Sequence, residues 1–79
     1  MQHESHERRE AEQIIRERML LLPGWQWTRD GLAEEIIQRE CMTWPTFVRA
    51  LGRLLSRGTI RFGEEIRLHG DSYKTYVLT

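Results

Sequence analysis

Lysine and cysteine each occur once in this chain of 79 residues, and proline occurs twice. The lone cysteine, Cys41, excludes an internal disulfide. A disulfide-stapled secreted scaffold is therefore disfavoured, and a reducing cytosol is the expected setting. No apolar run approaches the roughly 18 residues needed to cross a bilayer. The start, Met1 to Glu10, is charged and lacks the apolar core of a secretory signal. No glycine-rich loop could cradle a phosphate. His3 and His6 are spaced for a metal, but no further ligand lies near them in sequence. Cys41 is expected as a small half-buried thiol, because a catalytic one needs a positioned base and a pocket. Glu34-Glu35 and Glu64-Glu65 are adjacent pairs whose side chains diverge, so neither forms a carboxylate dyad. No enzyme activity, metal, cofactor or small-molecule ligand is expected.

What is present fits one small domain. The apolar fraction is 39% and the charged fraction 30%, as in an ordinary globular chain. Met1 to His6 is polar and expected to fray, leaving residues 7–79 to form a single core. Twelve basic and twelve acidic residues give zero net charge, which argues against a strongly nonspecific polyanion binder. The charges are unevenly placed. Residues 1–40 balance at −3 and residues 41–79 at +3. Eleven of the twelve basic residues are arginine, the side chain suited to bidentate contact with phosphate or guanine.

Ala11, Ile14, Ile15, Met19 and Leu22 recur at helical spacing and predict a first helix over about Glu7 to Leu22. Arg18 lies on the margin of that stripe. Glu12 stands four residues before Arg16, the favourable order for a pair on one helix. Pro23-Gly24 ends the helix. Trp25-Gln26-Trp27 alternates like a short strand, and either tryptophan could pair it with a later hairpin. Thr28 is an expected N-cap for a second helix over Arg29 to about Arg39, with Leu32, Ala33, Ile36 and Ile37 as its apolar stripe. Thr43 is the next N-cap, with Pro45 tolerated in the first turn. A third helix runs to about Arg57, and Gly58 is its left-handed stop.

Beyond Gly58 the period changes to two. Ile60, Phe62, Ile66 and Leu68 share one parity, with Gly63 marking a bend or bulge. His69-Gly70-Asp71-Ser72 is a turn, and Tyr73 to Leu78 returns as a second strand. A Gly70-Asp71 loop puts Tyr73, Thr75 and Val77 on the Leu68 face. A three-residue loop puts Tyr76 and Leu78 there instead.

The third helix separates its residues sharply by face. At about 100° per residue from Phe47, Leu51, Leu54, Leu55 and Ala50 lie within about 80° of it. Arg49, Arg53 and Arg57 fall near about 200°, 240° and 280° on the same wheel. An arginine row therefore backs an apolar row. Such a row fits either an ordinary solvated face or a surface that enters a DNA groove.

The stretch Thr46-Phe47-Val48-Arg49-Ala50-Leu51-Gly52-Arg53-Leu54-Leu55-Ser56-Arg57-Gly58-Thr59-Ile60 resembles the recognition helix and wing entry of winged helix-turn-helix DNA-binding domains. Thr28 to Ile36 resembles the supporting helix that precedes it. The likeness covers about residues 10 to 79, and the family is that of small bacterial or phage-type regulators. It implies an α+β fold with three helices, a short strand and a C-terminal hairpin wing over residues 59–79. It implies a sequence-specific transcriptional regulator that binds double-stranded DNA in the cytoplasm. Thr43, Trp44, Thr46 and Arg49 would reach base edges, while Arg53 and Arg57 would touch phosphates. Arg29 could meet a phosphate at the start of helix two. Arg67, His69 and Lys74, near the hairpin tip, could contact minor groove or backbone, or serve only to guard a sheet edge. A homodimer through the first helix, along Met19 to Leu22, would pair two half-sites. The rival expectation is a protein-interaction adaptor on the same fold, with Trp25, Trp27 and Trp44 as anchors.

Overall fold

In the computed structural model, which describes residues 10–79, the backbone is extended at Glu10 and helical over Ala11–Leu20 (α1). The helix starts later than its periodicity predicts, and Leu21 already caps its end. Residues 1–9 lie outside the described residues, and with them the expected tail, His3 and His6. Ile15 and Met19 are buried, while Leu20, Leu21 and Leu22 remain exposed. Met19 is thus a core residue and cannot belong to a surface patch.

Only Trp27 of the two alternating tryptophans joins a strand. β1 spans Trp27–Thr28, and Trp25 is exposed. Thr28 then caps α2 (Arg29–Glu40), its Oγ1 accepting the Gly31 N–H at 3.0 Å. Leu32, Ala33 and Ile36 are buried. The helix closes at Cys41, which adopts a left-handed φ of 54°, and the Met42 N–H donates to the Ile37 carbonyl at 3.1 Å. Cys41, at this helix end, is exposed rather than half-buried.

α3 covers Trp44–Ser56, with Thr43 as N-cap and Pro45 in the first turn. The Thr43 hydroxyl donates to Thr46 Oγ1 at 2.9 Å. Phe47 is fully buried, and Ala50, Leu51 and Leu54 are nearly so. Burying a phenylalanine of this kind stabilises by about 1.5–3 kcal/mol. Gly58, at φ 77°, closes the helix. The Thr59 N–H donates back to Leu54 and the Gly58 N–H to Leu55, both at 3.0 Å, the Schellman arrangement.

The strands form two sheets. β1 and β2 (Ile60–Phe62) flank β5 (Thr75–Leu78), all antiparallel. Trp27 and Phe62 both sit opposite Tyr76, and Ile60 sits opposite Leu78. β3 (Ile66–Leu68) and β4 (Asp71–Tyr73) form the outer part of the hairpin. The order three helices, strand between the first two, and C-terminal hairpins is an α+β fold consistent with the winged-helix topology. The core lies where Ile15, Met19, Leu32, Ile36, Phe47, Leu51, Leu54 and Ile60 meet.

The hairpin departs from its expected register. Leu68 sits opposite Asp71, so the loop is the two residues His69-Gly70, one earlier than the expected Gly70-Asp71, and Tyr73, opposite Ile66, lies on the Leu68 face. His69 at φ 53° and Gly70 at φ 82° supply the paired positive dihedrals of a type I′ turn. Ile60 is buried, but Phe62 and Leu68 on the same parity are exposed. β3 and β4 pair with each other in a separate sheet, and Leu68 on them lies outside the core.

The break between inner and outer hairpin has a side-chain cause. Gln26 Oε1 accepts the Glu64 N–H at 2.5 Å and lies 3.0 Å from Thr75 Oγ1. The Thr75 hydroxyl, fully buried, lies 2.6 Å from the Glu64 carbonyl. A Cβ at Gly63 would run into Gln26 Oε1 and Thr75 Oγ1, so a larger residue there would have to displace the Gln26 side chain from its bonds. Gly63→Ala is accordingly expected to destabilise by about 1–3 kcal/mol in urea unfolding. At Gly52, mid-helix with nothing within 4 Å of a Cβ, the same substitution should stabilise by about 0.5–1 kcal/mol. Equal effects at the two sites would contradict the Gln26 knot.

Candidate nucleic-acid interface

The burial of Phe47, Ala50, Leu51 and Leu54 fixes the orientation of α3. The opposite side carries Pro45, Val48, Arg49, Gly52, Arg53 and Ser56, all exposed. From Cys41 to Gly63 the chain contains no acidic residue, and it carries Arg49, Arg53, Arg57 and Arg61. This surface is therefore locally basic in a chain of zero net charge. Among the described residues Arg49 makes no ion pair. It borders a shallow groove with Glu10, Ala11, Glu12, Thr46 and Arg53.

The arginine row is not uniformly available, and here the sequence expectation needs correction. Arg53 Nη1 lies 3.5 Å from Glu12 Oε2, and Arg57 Nη1 donates to Glu12 Oε1. Glu12 belongs to α1, 45 residues before Arg57, and is 8% exposed. It does not serve the expected pair with Arg16. The two arginine side chains stay 57% and 63% exposed. Each guanidinium carries five N–H donors, so one carboxylate leaves most of them unused. Two guanidinium groups against one carboxylate also leave a local charge of one positive unit.

The signal for Glu12 was present in its spacing. Ile15 and Met19 are the buried residues of α1, and Glu12 precedes them by three and seven positions, on their face. A carboxylate placed there must find a cation or lose its charge.

The N-termini of α2 and α3 converge. The Arg29 guanidinium carbon lies 5.9 Å from the centroid of the Trp44 ring, a cation–π contact. Arg29 also approaches Asp30 at 4.0 Å. Trp44 packs edge-on to Phe47 at 5.7 Å and is 47% exposed. Thr43 is exposed beside it and Thr46 is half-buried. Arg29, Thr43, Trp44, Thr46 and Arg49 thus form one continuous group.

The wing residues are brought less close together. Arg67 is exposed opposite Ser72, and His69 is exposed in the terminal turn. Lys74 sits at the inner break between β4 and β5 rather than at the tip, with Nζ 4.9 Å from the centroid of the Phe62 ring. It lines a groove of about 400 Å³ with Arg29, Asp30, Leu68, Tyr73 and Tyr76, between the start of α2 and the hairpin. Glu64, Glu65 and Asp71 offset the basic residues of the wing.

Among the described residues no three His, Cys, Asp or Glu side chains converge as a metal site, and no helix is long and apolar enough to cross a membrane. Compared with protein-family models, with curated proteins and with solved structures, the chain matches none.

Proposed function

We propose that this chain is a winged helix-turn-helix regulator that binds double-stranded DNA. The observation that carries the reading is the exposed side of α3, where Arg49, Arg53 and Arg57 outnumber the single carboxylate of Glu12 that pairs with the row, and whose other side is buried in the core. A helix of that build fits a major groove, with its N-terminal residues nearest the base edges. Arg49 is the side chain best suited to a guanine edge. Thr43 and Thr46 offer hydroxyls, and Trp44 offers an apolar contact. Arg29 meets the backbone at the mouth of α2, and Lys74 and Arg67 meet it along the wing. Transcriptional control is the use that suits so small a reader.

A second copy completes the reading. Leu20, Leu21, Leu22 and Trp25 are 46%, 67%, 51% and 57% exposed at the end of α1. Pairing two copies there would present two recognition helices to two half-sites. Sedimentation equilibrium is expected to give a dimer that Leu21→Glu converts to monomer. A monomeric wild type at high concentration would remove this element.

Titration with duplex DNA at several salt concentrations tests the main reading. Affinity is expected to fall steeply with salt. On a site selected from random duplexes, Arg49→Ala is expected to cost about 1–3 kcal/mol and to relax preference at one position. Lys74→Ala should weaken all sequences alike. No binding at low salt would leave Trp44 and Val48, both exposed on α3, as the anchors of a protein-binding surface instead.

A further inference from the structure

Resting on the reading above, we propose that Glu12 is a specificity-determining residue: it occupies Arg53 and Arg57 and so withholds them from nonspecific phosphate contact. Each carboxylate oxygen takes one guanidinium, Oε1 from Arg57 and Oε2 from Arg53. Carboxylate and phosphate present similar paired oxygens to an arginine fork. Glu12 is thus an internal stand-in for a DNA phosphate, supplied by α1 to the flank of α3.

Three features favour this role over plain packing. Glu12 is buried to 8% exposure on the apolar face of α1, where an apolar side chain would fill the space without desolvation cost. Arg53 and Arg57 remain more than half exposed, so a competing phosphate can approach them without unfolding anything. Arg49, one turn nearer the N-terminus, makes no ion pair among the described residues. The pairing therefore divides the row in two. The end that meets base edges stays available, and the end that would meet any backbone is held back. Nonspecific binding is mostly phosphate contact, so occupying those arginines lowers it more than it lowers binding to a preferred site.

The test compares wild type with Glu12→Gln, which keeps the size and one acceptor oxygen, replaces the other with an NH2 that cannot accept from an arginine, and removes the charge. Binding of a mixed-sequence duplex is measured against salt. Glu12→Gln is expected to bind about tenfold tighter near 0.1 M salt, and the log–log salt slope should steepen by about one to two. Discrimination between a selected site and random duplex should fall. In an Arg53→Ala/Arg57→Ala background Glu12→Gln should change none of these. If folded Glu12→Gln matches the wild-type affinity and slope, or binds more weakly, the proposal is overturned while wild-type binding upholds the broader reading. If neither protein binds at low salt, the broader reading fails and this one with it. Should Glu12→Gln not fold, the Glu12 carboxyl carbon resonance in the wild type decides. It is expected to move when duplex is added, and an unmoved resonance at saturation overturns the proposal.

Discussion

Phe47 and its neighbours Ala50, Leu51 and Leu54 bury one side of α3 almost completely. The proposed DNA surface depends on that seating. A helix of thirteen residues is marginal alone, and here the core supplies its stability and sets its rotation. With the apolar side fixed, Val48, Arg49, Gly52 and Ser56 face solvent by necessity. α1 contributes Ile15 and Met19 to the same core and, on the same face, the carboxylate of Glu12. One packing contact thus both presents the basic surface and restrains part of it.

The wing follows a different logic. Its inner half is tied to the body through Trp27, Tyr76 and the polar knot of Gln26, Glu64 and Thr75. Its outer half, Ile66–Leu68 with Asp71–Tyr73, is held by its own pairing and its type I′ turn. The knot is where the chain changes from a core strand to a projecting arm. Lys74 sits at that junction, stacked over Phe62, and the groove beside it opens toward Arg29.

Local features of the fold were legible in the sequence because their causes are local. Thr28 and Thr43 cap helices because each hydroxyl oxygen accepts the backbone N–H three residues on, from Gly31 and Thr46. Gly58 stops α3 because its left-handed backbone returns two bonds to Leu54 and Leu55. Of the expected apolar stripes of α2 and α3, Leu32, Ala33, Ile36, Phe47, Ala50, Leu51 and Leu54 are buried in the core, while Ile37 and Leu55 are half-buried against it. What escaped depended on partners distant in sequence. Nothing near Glu12 announces Arg53 and Arg57, and the neighbouring Arg16 offered a simpler pair. Gln26 gave no sign of reaching Glu64, 38 residues away. The hairpin register turned on His69 accepting a left-handed backbone, which favours glycine or asparagine and which a histidine adopts less often. Of the candidate site, the placement of Thr43, Trp44, Thr46 and Arg49 at the start of α3 was legible in the sequence, whereas the approach of Arg29 to Trp44 and the division of the arginine row came only from tertiary contact.

On the proposed function, α3 and the start of α2 form a surface for duplex DNA. Backbone amide resonances followed by NMR during addition of a short mixed-sequence duplex at low salt test it most directly. Shifts are expected to concentrate over Arg29–Gly31 and Thr43–Arg49, with smaller ones over Arg67–Gly70. Shifts confined to Leu20–Trp25, or an unchanged spectrum at excess duplex, would contradict it.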